Sequence, residues 1–188
     1  MDPLTLAGLQ VSANPFWLFG YGSLIWKPDL PYSDRVPARL RGWSRRFWQG
    51  SHDHRGLPDA PGRVVTLVES APDCCCDGIA YRVPADAAAA VLAGLDHREK
   101  NGYERHRVNL ATRNGDAIEA LIYVAAPGNF AWLGPAPLAA IAAQIAGAHG
   151  PSGSNREYLQ RLAESLRLLD SDDDHVFALE ALLSSDRT

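Results

Sequence analysis

Two features of the 188-residue chain place chemically useful groups where they could act. The first is the glycine turn Gly20-Tyr21-Gly22-Ser23-Leu24. Glycine lets backbone approach a ligand closely, and successive N–H groups in such a turn can form a concavity for an anion. The plainer alternative is that two glycines simply turn the chain. The turn is no Walker loop, because no Gly-Lys-Ser/Thr follows, and no nucleophile elbow, which would need glycine where Ile25 stands. The second feature is Glu99. At 100° per residue with Leu92 at zero, Ala88 lies at about −40°, Leu95 at about −60° and Glu99 at about −20°. The carboxyl therefore falls in the apolar stripe, while His97 and Arg98 face outward. An inward carboxyl loses solvation, which raises its pKa and makes it a better proton acceptor near neutral pH. Two alternatives stand beside this: Lys100-Asn101-Gly102 ends the helix before Glu99, or the glutamate pairs with an arginine.

Other titratable clusters point to structure. His52-Asp53-His54 lacks the i,i+4 spacing of a helical zinc motif, and Cys74-Cys75-Cys76 lacks Cys-x-x-Cys spacing, so no metal site is expected. Three consecutive cysteines cannot form a disulfide framework, which suits a reducing, cytoplasmic compartment. Arg39, Arg41, Arg45 and Arg46, interleaved with Trp43, Phe47 and Trp48, could mimic a nucleic-acid stripe. The chain carries 22 acidic against 18 basic residues, a net charge of −4, so these are better read as strand residues, some able to pair a substrate carboxylate. Arg45, Arg46 and Arg63 are the candidates for that contact. Tyr158 borders the apolar face of its helix and is expected in the core, with a substrate contact as the alternative.

The elements that must hold these groups follow from period and punctuation. FWLFGYGSLIW, from Phe16, reads as a buried strand running into the turn. Arg63–Glu69 and Gly78–Val83 read as strands joined across Ala71–Asp77 in hairpin fashion. Val108–Ala111 and Ala117–Ala125 read as an antiparallel pair across Asn114-Gly115. Helices are expected over Pro84–Glu99, Ala136–Ala148, from Ser154 with Glu157 completing a capping box and a Leu159/Leu162/Leu166/Leu169 stripe, and over His175–Leu183. Residues 1–15 read as a flexible tail, and 16–188 as a single α+β domain with a largely antiparallel, possibly closed sheet. At 46% hydrophobic and 21% charged the chain is of globular composition, and no apolar run is long enough for a membrane span.

Six segments in order, FGYGSLIWKP, RRFWQGSHDHRG, PGRVVTLV, LDHREKNGY, WLGPAPL and GPSGSNREYL, resemble the ChaC family of glutathione-specific γ-glutamylcyclotransferases. The resemblance runs from about Trp17 to Leu182. It implies a cyclotransferase fold, a small mixed sheet or barrel with flanking helices. It implies cleavage of glutathione to 5-oxoproline and cysteinylglycine without metal or cofactor, and a small-molecule substrate rather than nucleic acid or membrane as partner. The family's substrate-binding segment matches Leu18, Phe19, Gly20, Tyr21, Gly22 and Ser23, and its catalytic glutamate matches Glu99. A cyclotransferase for other γ-glutamyl donors would carry the same two motifs. A silent ligand-binding homologue would have no need of the glutamate. The chain departs from the family in its longer N-terminus, in Cys76-Asp77 before Gly78 where a tryptophan is common, and in Leu18 where valine is common.

Overall fold

The apolar run after Pro15 forms β1 (Phe16–Gly20), followed by a single 3-10 turn, Ser23–Ile25. These belong to a computed structural model that describes residues 14–98 and 102–185; residues 1–13 of the expected tail (1–15) and Glu99 lie outside the described residues. Then come β2 (Asp34–Arg41), β3 (Trp43–Ser51), β4 (Gly62–Glu69), β5 (Cys75–Val83), helix α1 (Ala88–Arg98), β6 (Tyr103–Thr112) and β7 (Ala117–Ala125). Helix α2 (Leu138–Gly147), the two-residue strands β8 (His149–Gly150) and β9 (Gly153–Ser154), and helices α3 (Asn155–Leu168) and α4 (Asp174–Ser185) complete the order.

Five strands close into a barrel in the order β1-β5-β2-β6-β7. All its pairings are antiparallel except β1–β7, a parallel seam joining Trp17 to Ala120 and Leu18 to Leu121. In β2, Ala38 and Leu40 point inward while Arg39 and Arg41 point out, the period of a strand with one wet face. Pro37 has no N–H to give, and it sits where β2 is paired on one side: the β2–β6 seam holds only Ala38–Thr112 and Arg39–Ala111. The β6–β7 hairpin turns at Asn114-Gly115 as the sequence suggests, with Gly115 at a φ of +87° that favours glycine.

The expected hairpin of Arg63–Glu69 with Gly78–Val83 does not form. β4 pairs with β3 in a separate two-stranded ribbon, and β5 pairs with β1 and β2. The polar Cys75-Cys76-Asp77 run, read as connection, extends β5. Asp77 lies opposite Arg39 and takes its guanidinium at 2.7 and 2.9 Å, a cross-strand ion pair on the wet face.

The helices cover the ribbon. Ile141, Ala142 and Ile145 of α2, Leu159, Leu162, Ala163 and Leu166 of α3, and Val176, Leu179 and Leu183 of α4 join β-strand residues in one core. Ser154 caps α3 by accepting the Glu157 N–H at 3.1 Å. The helix stops at Leu168, so Leu169 falls in the cap rather than continuing the stripe. In α1 the buried residues are Ala88, Val91, Leu92 and Leu95, the stripe the helical period predicts. Among the described residues no helix is long and apolar enough to cross a membrane.

Candidate active site

The glycine turn opens the site, and its glycines are required for space rather than for backbone angle. A Cβ on Gly20 would lie 2.7 Å from Leu24 Cβ; one on Gly22 would lie 3.0 Å from Val65 Cγ2 and 3.1 Å from the Tyr158 hydroxyl. Gly22 has φ −125°, so no left-handed residue is involved. The 3-10 turn is closed by the Ile25 N–H to Gly22 O (3.0 Å) and the Lys27 N–H to Ser23 O (2.8 Å). The first N–H groups of any helical turn find no acceptor within it. Here the turn that carries them forms one wall of a cavity.

That cavity has two adjoining lobes sharing Ser23, Tyr103 and Tyr158. The inner lobe, about 70 Å³, is lined by Phe19, Tyr21, Gly22, Leu24, Val65, Leu95 and Tyr123. The outer lobe, about 400 Å³, adds Trp26, Lys27, Ser51, Asp53, His54, Arg55 and Ser152. This volume lies within the range of about 300–1,000 Å³ typical of small-molecule sites. Tyr158 is packed in the core, as expected, and also reaches the cavity. Its ring is packed edge-on to Trp26 and Phe47 (5.4 and 5.9 Å), and its hydroxyl end meets Gly22 at the junction of the lobes.

The outer wall is the loop after β3. Arg55 N–H donates to Ser51 Oγ (2.9 Å), Ser152 N–H to His54 O (2.9 Å), and the backbones of Gly56, Gly62 and Gly150 meet too closely for a side chain at any of the three. Arg55 Nη1 donates to Ser154 O and to Glu157 Oε2, each at 3.1 Å, and the guanidinium lies 5.7 Å from the Tyr158 ring centroid. So Glu157, expected to close a capping box, instead anchors the arginine at the cavity.

Of the segment expected to bind substrate, Phe19, Tyr21, Gly22 and Ser23 reach the cavity. Leu18 is buried in a second core cluster with Val83, Val91 and Leu95, and Gly20 packs on Leu24. Glu99 lies outside the described residues, but Leu95 and Tyr103, before and after it in the chain, both line the inner lobe. The arginines nominated for a carboxylate are engaged in the protein. Arg45 is buried, its Nε donating to Tyr21 O (2.7 Å) and its two Nη to Asp173 and Asp77 O. Arg63 donates to Gln144 Oε1 (2.6 Å), Phe47 O (2.9 Å) and Gly134 O (3.1 Å), and Arg46 to Arg45 O (2.8 Å). Arg55 and Lys27 line the cavity instead. The signal that could have found Arg55 was its position between Gly50 and Gly56, glycines that bring backbone segments together.

His54 Nδ1 sits 3.2 Å from Ser152 Oγ, a loop-holding contact, and no metal-binding group of three His, Cys, Asp or Glu occurs among the described residues. Burial pushes the Cys76 thiol up to about 12, away from any nucleophilic role near neutral pH.

The ChaC-like protein family matches residues 16–186. A Danio rerio protein named glutathione-specific gamma-glutamylcyclotransferase 1 is 45% identical over 176 residues, covering 90% of this chain and 89% of its own. The glutathione-specific gamma-glutamylcyclotransferase of Saccharomyces cerevisiae is 38% identical over 196 residues, with coverage of 80% and 84%. A crystal structure of the glutathione-specific gamma-glutamyl cyclotransferase from yeast matches with a TM-score of 0.86 at 32% identity, covering 93% of this chain and 97% of that one.

Proposed function

The chain belongs to the ChaC-like protein family, and on that premise we propose that it is a glutathione-specific γ-glutamylcyclotransferase, an enzyme releasing 5-oxoproline and cysteinylglycine. One observation carries the reading most directly: the glycine turn, Leu95 of α1 and Tyr103 line one cavity, and Leu95 and Tyr103 precede and follow Glu99 in the chain.

The chemistry needs little from the protein. The α-amine of the γ-glutamyl group attacks its own side-chain carbonyl, forming a C–N bond that closes a five-membered ring. The amide C–N bond to cysteine then breaks. Glu99 takes the proton that the attacking amine must lose and returns it to the departing amine. The turn at Tyr21–Ser23 steadies the developing oxyanion with backbone N–H groups, and the small inner lobe holds the glutamyl chain folded. Glutathione carries two carboxylates at neutral pH, and Lys27 and Arg55 supply positive charge in the outer lobe. A reducing, cytoplasmic setting is part of the proposal; the free Cys74, Cys75 and Cys76 are compatible with it.

Incubating the purified protein with glutathione and measuring 5-oxoproline and cysteinylglycine tests this. Equal amounts of both products are expected, undiminished by a chelator, with little product from other γ-glutamyl peptides. Absence of 5-oxoproline overturns the proposal, and equal turnover of γ-glutamyl dipeptides overturns its specificity.

A further inference from the structure

Arg45 makes a buried polar network that joins three parts of the chain, and the reaction as described does not use it. It is 1% exposed and lies on β3, outside the cavity wall. Its three nitrogens reach three parts of the chain: Tyr21 O in the glycine turn (2.7 Å), Asp77 O in β5, and the carboxylate of Asp173. Asp173 is fixed in turn, because its other oxygen accepts the Val176 N–H at 3.0 Å and so caps the first turn of α4. The Tyr21 side chain is tied on the opposite side, its hydroxyl donating to Tyr123 O at 2.5 Å. Tyr21 is thus held at both ends, backbone and ring, next to Gly22 and Ser23.

A bare aliphatic or lysine side chain could fill part of this volume. Only the planar guanidinium fork can serve two carbonyls and a carboxylate in fixed directions at once. A buried charge retained for that geometry implies that the shape of the turn matters. We propose that Arg45 and Asp173 form a positioning pair that sets the glycine turn in the conformation that receives substrate, without touching substrate themselves. The inference rests on the reading of Tyr21–Ser23 as the substrate cradle.

Arg45→Lys keeps the charge and loses the fork. Asp173→Asn keeps the α4 cap, since asparagine caps as well as aspartate, and loses the charge. Leu179→Ala, in the buried face of α4, is the control for general destabilisation. Assayed well below each variant's Tm, Arg45→Lys is expected to lower kcat by about 10–10²-fold, the size of effect a displacement of about 1 Å produces, with a smaller change in KM. Asp173→Asn is expected to lose less, and Leu179→Ala to keep the wild-type kcat. Hydrogen exchange of the Ile25 and Lys27 amides, which close the turn, is expected to quicken in Asp173→Asn while the β6–β7 hairpin is unchanged. A folded Arg45→Lys with kcat and KM within twofold of wild type overturns the proposal. So does a Leu179→Ala that loses as much, or unaltered turn exchange in Asp173→Asn. Should Arg45→Lys fail to fold, Asp173→Asn decides by the same two readouts. Wild-type turnover of glutathione tests the cradle reading itself, and turn exchange reads the pair independently of turnover.

Discussion

Arg45 and Arg55 stand ten residues apart on either side of the end of β3, and the fold uses them in opposite ways. Arg45 is enclosed, with its hydrogen-bonding donors given to Tyr21, Asp77 and Asp173. Arg55 leans along the cavity, with Nη1 anchored on Ser154 O and Glu157, whose side chain is 46% exposed. One guanidinium shapes the wall and the other faces the space. The difference teaches that distance along the chain from a motif is a poor guide to role. What decides is whether the acceptors around a charge leave it donors to offer.

The comparison breaks most visibly in stability. Arg45→Ala strands Asp173 in the interior, and breaking a buried pair in this way costs about 3–5 kcal/mol. Arg55→Ala removes a partly solvated ion pair worth about 0–1 kcal/mol. Denaturant unfolding of the two variants side by side checks this, and equal losses would dissolve the distinction.

A second test uses acid. His175, at the start of α4, accepts the Phe47 N–H on Nε2 at 3.1 Å. Burial, with Arg46 and Arg45 nearby, pushes its pKa down to about 4, against the opposing pull of Asp173. Its ordinary value is 6.5, so below that pH the unfolded chain binds a proton the folded chain refuses. Stability from this group is full above pH 6.5 and declines as pH falls toward about 4. His175→Gln is expected to flatten that part of the stability–pH curve; an unchanged slope would show that the histidine is not the group responsible.

The third effect is small in folding and larger in kinetics. Arg55→Ala is expected to raise the KM for glutathione about tenfold or more, from loss of a charge-assisted contact, with kcat less affected. Steady-state assays check it, and an unchanged KM removes Arg55 from substrate recognition.

Much of the scaffold was legible from periodicity. The α1 stripe, the β6–β7 hairpin and the Ser154 cap are local patterns, each set by residues a few positions apart. The partnership of β4 was not legible, because its near-continuous burial carries no alternation to say which neighbour it joins. Asp77 misled for a related reason: a polar residue facing water on a strand looks like a connection until its cross-strand arginine is known. The role of Arg45 was hidden because its acceptors lie 24, 32 and 128 residues away. Arg55 was hidden because a loop has no period to single it out, although the flanking glycines marked the loop as tightly packed.

Glu99→Gln tests the central claim most directly. The amide keeps the size of the side chain and cannot take the proton from the attacking amine. Release of 5-oxoproline is expected to fall by about 10²–10⁴-fold while Tm and glutathione binding stay near wild type. A Glu99→Gln protein that releases 5-oxoproline at the wild-type rate would contradict it.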